Sequence, residues 1–156
     1  MKILALDIAT KTGWATNNPV AQSGMVDFTI GKAGQKMTDA KRALRLLKFK
    51  HWLTEFLTMH TKFDLIIYEQ QHHRGRAATE VAIGLISEVI KLAGIVGARI
   101  ESVHSGTLKK FATGHGKAEK AQMIAAAEGF GWKPVDDNEA DACLILEYAM
   151  KELKGD

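Results

Sequence analysis

Ile3-Leu4-Ala5-Leu6-Asp7 decides the fold: a short apolar, β-compatible run closed by a carboxylate. A run of this kind belongs in the centre of a sheet, with Asp7 at the carboxyl end of its strand. Thr12 to Thr16 and Gln22 to Ile30 also have strand character and are parted by Asn17-Asn18-Pro19, a strong turn signal. With Lys2 to Ile8 they predict an antiparallel meander. From Lys36 to His60 the spacing turns helical, with Leu46, Phe49, Leu53, Phe56 and Leu57 on one face. Leu65-Ile66-Ile67-Tyr68 then repeats the opening pattern as a buried strand, with Glu69 at its end. A helix over Ala77 to Leu92, a strand over Arg99 to Val103, and helices over Lys117 to Glu128 and Asp137 to Leu153 complete the chain. The order β-β-β-α-β-α-β-α-α predicts an α/β fold, a mixed five-stranded sheet with helices on both faces. No repeat, low-complexity tract or proline-rich linker interrupts it, so residues 1–156 are expected to form a single domain.

With 46% hydrophobic and 25% charged residues, the chain has enough apolar material for a core and none of the bias of a disordered protein. Its one cysteine, Cys143, forms no internal disulfide and leaves too few thiolates for a structural zinc site. Asp7 interrupts the first apolar run too early for a secretory core, and no run approaches the ~18 apolar residues of a membrane span. The expectation is a soluble protein of a reducing compartment, without membrane contact. Formal net charge is only +3, but it is unevenly spread. Lys32 to Lys62 holds eight Lys/Arg against two acids, Lys109 to Lys133 five against two, and from Pro134 seven acids oppose two lysines. Basic segments can bind a polyanion and the acidic one a metal cation; solvated helix faces are the plain alternative.

An unpaired buried carboxylate costs on the order of several kcal/mol, so Asp7 and Glu69 each need a partner or a cation. Singly, each reads as a cap or a structural hydrogen-bonder. Together they can converge, because neighbouring strands lie only about 4.8 Å apart. In Asp136-Asp137-Asn138-Glu139-Ala140-Asp141, helical geometry puts Asp141 on a face with Asp137 and Asn138 and turns Glu139 away. Capping and dipole compensation account for Asp136 and Asp137. They do not account for Asp141, beyond the first turn and just before Cys143, Leu144 and Ile145. Oxygen ligands from two strand ends and a helix suit a pair of hard divalent cations, with Mg²⁺ the natural candidate. Two such ions can activate a water and stabilise a leaving oxygen on opposite sides of a phosphate. No Gly-x-Ser-x-Gly elbow supports serine catalysis, and the apolar helical context of Cys143 is that of an inert thiol. The nucleotide-binding patterns Gly-x-x-x-x-Gly-Lys-Ser/Thr and Gly-x-Gly-x-x-Gly are absent.

Four stretches occur in a telling order: the Asp7 strand with Thr12-Gly13-Trp14-Ala15, the strand end Ile67-Tyr68-Glu69-Gln70, Leu108 to Lys120, and Asn138-Glu139-Ala140-Asp141-Ala142. Together they resemble a RuvC-type Holliday junction resolvase of the RNase H-like superfamily, phage-type or divergent. Lys109-Lys110-x-x-Thr113-Gly114-x-Gly116-x-Ala118-x-Lys120 is the most specific part. The resemblance implies an RNase H-like sheet, a homodimer with two active sites, and nicking of four-way DNA junctions dependent on Mg²⁺ or Mn²⁺, two ions per site. It implies that Asp7, Glu69 and Asp141 bind metal. The family position three residues before the last Asp, usually Asp or His, is Asn138 here. An amide ligates through its carbonyl oxygen but brings no charge, and Asp137, which also faces Asp141, is the alternative ligand. Lys109 and Lys120 match basic positions near the scissile phosphate and DNA backbone, and Lys117 joins them in the same stretch. After Glu69 the family presents a loop to the junction centre; His72 takes the place of its stacking aromatic, and Arg74 can stack on a base as well.

The function expected is a Mg²⁺-dependent, structure-selective DNA endonuclease that resolves Holliday junctions and related branched DNA, in a bacterial cytoplasm or as a phage product in the host cytoplasm. One alternative is an RNase H-like ribonuclease acting on RNA–DNA hybrids, against which the Thr113 to Lys120 stretch speaks. The other is a non-catalytic junction-binding module, with Asn138 marking a decayed site.

Overall fold

β1 (Ile3–Asp7) is the middle strand of a five-stranded sheet, and its side-chain alternation generates the layers. In a computed structural model, which describes residues 1–70 and 75–153, every residue of β1 is buried. Ile3 and Ala5 enter one core and Leu4 and Leu6 the other, because successive side chains of a strand point to opposite faces. β2 (Lys11–Thr16) pairs antiparallel with β1, and β3 (Gln22–Asp27) pairs antiparallel with β2, which is the expected meander. β4 (Leu65–Glu69) and β5 (Arg99–Val103) add in parallel on the other side of β1, giving the order β3-β2-β1-β4-β5. β3 stops at Asp27 rather than Ile30; just beyond it the Asp27 side chain, not a neighbouring strand, takes the Thr29 N–H, which donates to Asp27 Oδ1 at 2.8 Å.

One face is covered by α1 (Asp39–Met59) and α2 (Arg76–Val96), whose Phe49, Leu53, Leu85 and Val89 pack on Leu4, Leu6 and Ile66. The other carries α3 (Ser105–Thr113), α4 (Lys120–Gly129) and α5 (Asp137–Glu152), with Ala140, Cys143 and Leu144 in the core that holds Ile3, Ala5 and Ile67. This is the mixed α/β sheet with helices on both faces read from the sequence.

The differences lie at helix ends and in one extra helix. α1 begins at Asp39 rather than Lys36, because Thr38 Oγ1 accepts from the Lys41 N–H at 3.2 Å and caps it there. α4 begins at Lys120 rather than Lys117, behind a capping box in which the Glu119 N–H donates to Gln122 Oε1 at 2.8 Å. α2 runs past Leu92 to Val96 and ends at Gly97, whose φ of 71° a side chain would resist. α3 was not expected. It is only nine residues long and fully buries just Ser105 and Leu108, too few positions for a periodic signal. No helix among the described residues is long and apolar enough to cross a membrane.

Candidate active site

Because β1 and β4 are parallel neighbours, both carboxyl ends fall on the same edge of the sheet. Leu6 is opposite Tyr68 in that ladder, so the residues that follow, Asp7 and Glu69, emerge side by side. α5 supplies the third acid by crossing β1 and β2 at very short range. That approach depends on Gly13, which pairs with Asp7 across the β1–β2 ladder: a Cβ at this position would overlap the backbone carbonyl of Asn138. Asp136 starts α5 by accepting the Glu139 N–H at 2.8 Å, which sets the helical phase that turns Asp141 inward.

Carboxylate oxygens of Asp7, Glu69 and Asp141 lie within 4.8 Å of one another. Asp7 is 8% exposed, and burial, followed by the charges of Asp141 and Glu69, holds its carboxyl well above the usual range. Burial likewise pushes the Asp141 carboxyl up to about 7, helped by Glu69 and Asp137 and opposed by Lys109 and Lys120. Asp141 Oδ1 is buried and has no hydrogen-bond partner among the described residues. An orphaned oxygen beside two further carboxylates fits a hard divalent cation, which would satisfy the oxygen and relieve the repulsion.

The acids line a cavity of about 330 Å³ whose wall also includes Lys109, Lys120, Asp137 and Asn138. Asp137 does not join the three converging acids; its Oδ2 pairs with Lys120 Nζ at 3.1 Å. The Asn138 amide Nδ2 donates weakly to Asp136 Oδ2 at 3.4 Å, and its side-chain oxygen has no donor among the described residues. Lys117 is exposed on the turn before α4 and is not part of the cavity wall. His72 and Arg74 lie outside the described residues. Glu139 turns away from Asp141 as expected, but into the protein: it is 5% exposed and accepts from Ser23 Oγ at 2.7 Å and the Val135 N–H at 2.8 Å. Cys143 is buried, and burial pushes its thiol up to about 12, in keeping with an inert side chain. Sequence reading missed Ser105, a buried residue of the cavity wall that becomes visible only once α3 is known.

No family model matches the sequence. No curated protein matches it either. Solved structures do: Thermus thermophilus RuvC in complex with a Holliday junction substrate superposes with a TM-score of 0.75 at 20% identity, covering 97% of this chain and 94% of that one. The chain has the RuvC fold. A second Thermus thermophilus RuvC structure gives a TM-score of 0.69 at 18% identity over 97% of this chain and 96% of the other. The RuvC fold also relates it to the Fowlpox virus resolvase solved with its Holliday junction, with a TM-score of 0.55, 15% identity, and 96% and 99% of the two chains covered. Within the RuvC fold, then, the three acids occupy the carboxyl edge of the two central parallel strands and the facing helix.

Proposed function

We propose that this protein is a divalent-metal-dependent, structure-selective endonuclease that resolves Holliday junctions and related branched DNA by phosphodiester hydrolysis. One observation carries the reading: Asp7, Glu69 and Asp141 converge in a RuvC fold, and Asp141 keeps a buried oxygen with no partner among the described residues. These carboxylates hold Mg²⁺ or Mn²⁺, two ions per site, and Asn138 completes the set through its side-chain oxygen. When bound, the cations supply the positive charge that hydrolysis needs at the scissile phosphate. Lys109 and Lys120, on the wall of the same cavity, bind and orient the phosphates on either side, and exposed Lys117 extends that basic track. The chain works as one nuclease domain and as a homodimer, which places identical sites on opposing strands.

The test is incubation of the purified chain with an immobile four-way junction, with and without Mg²⁺, resolved on native and denaturing gels. Symmetric nicks that require the metal are expected. Asp7→Asn removes a ligand charge at constant shape and should lower cleavage by orders of magnitude while leaving junction binding in place. Preferred cutting of an RNA–DNA hybrid would favour the ribonuclease reading, and binding without turnover would favour the non-catalytic one.

A further inference from the structure

Next to the acidic cavity lies a second one of about 370 Å³, and the two share Ala78 and Ala82 of α2 as a common wall. Ile8, Met37, Val81 and Leu85 give it an apolar lining, and among the described residues its charged lining residues are Arg42 and Arg45, which also line a smaller adjoining cavity together with Glu80. Arg45 is 8% exposed. Its Nε donates to the Phe28 carbonyl at 3.2 Å, which fixes the guanidinium plane; its Nη groups have no hydrogen-bond or ion-pair partner among the described residues. The exposed Asp27 feels its charge, but from beyond ion-pair distance. Arg42, one helical turn earlier, reaches Glu80 with Nη1 at 3.2 Å, while its Nε is buried without a hydrogen-bond partner among the described residues.

Arg45 lines the cavity with no carboxylate at ion-pair distance among the described residues, and a planar fork of donors matches the geometry of a phosphate better than that of any neutral group. The apolar lining offers what an unstacked base needs, and the volume is in the range of small-ligand pockets. We infer that this cavity binds one nucleotide of the DNA strand that crosses the acidic site, with Arg42 and Arg45 on its phosphate and the apolar lining against its base. The shared wall makes the nucleotide a near neighbour of the scissile phosphate. Taking a base out of a stack costs least where it is already unpaired, so such a site favours branch points over plain duplex. The inference rests on the endonuclease reading above.

The experiment uses four-way junctions that carry one neutral methylphosphonate linkage, moved position by position around the cleavage site. Affinities are measured by fluorescence anisotropy in Ca²⁺ for the wild type, Arg42→Gln and Arg45→Gln, with thermal unfolding as the folding control. At one position the neutral linkage should weaken wild-type binding on the order of tenfold, and either substitution should abolish the sensitivity there and nowhere else. An abasic residue attached to that phosphate should weaken the wild type as well. Purely additive effects at every position would overturn the nucleotide site. Arg42→Gln decides the matter if Arg45→Gln fails to fold, since the Arg42 side chain is 41% exposed. Failure of the wild type to cut junctions in Mg²⁺ overturns the endonuclease reading instead, and is seen before any variant is made.

Discussion

Asp141 is the residue whose environment departs most usefully from the ordinary. Burial, then the charges of Glu69 and Asp137, push its carboxyl up to about 7. An aspartate in the unfolded chain ionises near pH 4, so between about 4 and 7 the folded state keeps a proton that the unfolded state has lost. Stability from this group is therefore full below about pH 4 and is lost as pH rises through about 7. Without divalent cations, Tm should fall between about pH 5.5 and 7.5 by a few degrees, and Asp141→Asn should flatten that fall. Mg²⁺ binds the ionised form, so it should raise Tm more at the higher pH. Equal stabilisation at both would remove Asp141 from the cation site. Its neighbours on α5 separate in the same way. Asp137 is already paired with Lys120 and stands apart from the three acids, whereas Asn138 has a side-chain oxygen to offer. Asn138→Asp should lower the Mg²⁺ concentration needed for cleavage and Asn138→Leu should raise it sharply, with Asp137→Asn close to wild type; the reverse ranking in Mg²⁺ titrations would transfer the ligand role to Asp137.

At the scale of elements, the site depends on how closely α5 can sit on β2 and on what holds it there. Gly13→Ala would force the Asn138 carbonyl away, displacing the turn of α5 that precedes Asp141. The expected loss is about 1–3 kcal/mol of stability, with cleavage reduced far more than junction binding. Wild-type turnover in this variant would show that the close approach is not what positions Asp141. Glu139 ties the first turn of α5 to Ser23 of β3 and to Val135. Glu139→Ala leaves those donors unpaired and should cost about 2–4 kcal/mol in urea denaturation, where an unchanged midpoint would contradict an anchoring role.

For the whole molecule, basic groups on α3, α4 and the turn between them flank an acidic cavity that cations are expected to neutralise. Junction affinity should therefore fall steeply with salt, with a slope near 0.9 per duplex phosphate contacted; Lys109→Ala and Lys120→Ala should each flatten it by about one contact. Salt-independent affinity would end the electrostatic reading. Light scattering should give a protein mass about twice 17.1 kDa, for the free protein or, once the mass of the DNA is subtracted, for its junction complex; a single copy in both would contradict the homodimer.

The order of elements, the mixed sheet with helices on both faces and the two strand-end acids were legible in the chain because apolar periodicity and burial are local properties: Ile3 to Asp7 and Leu65 to Glu69 announce themselves by composition. The phase of a helix is local too, so Asp141 could be placed on a face with Asp137 and Asn138 and opposite Glu139. Three features came only with the tertiary structure. α3 is too short and too sparsely buried for its period to be read. The pairing of Asp137 with Lys120 could not be read, because Lys120 is 17 residues away and near only because α4 packs against α5. Arg42 and Arg45 look like solvated lysine-and-arginine periodicity along α1 until α2 and the β1–β2 turn close around them. The sequence by itself determined which residues are apolar, which are charged and at what spacing they recur; only the folded chain decided which charges lose their water together, since desolvation depends on every element packed around a group.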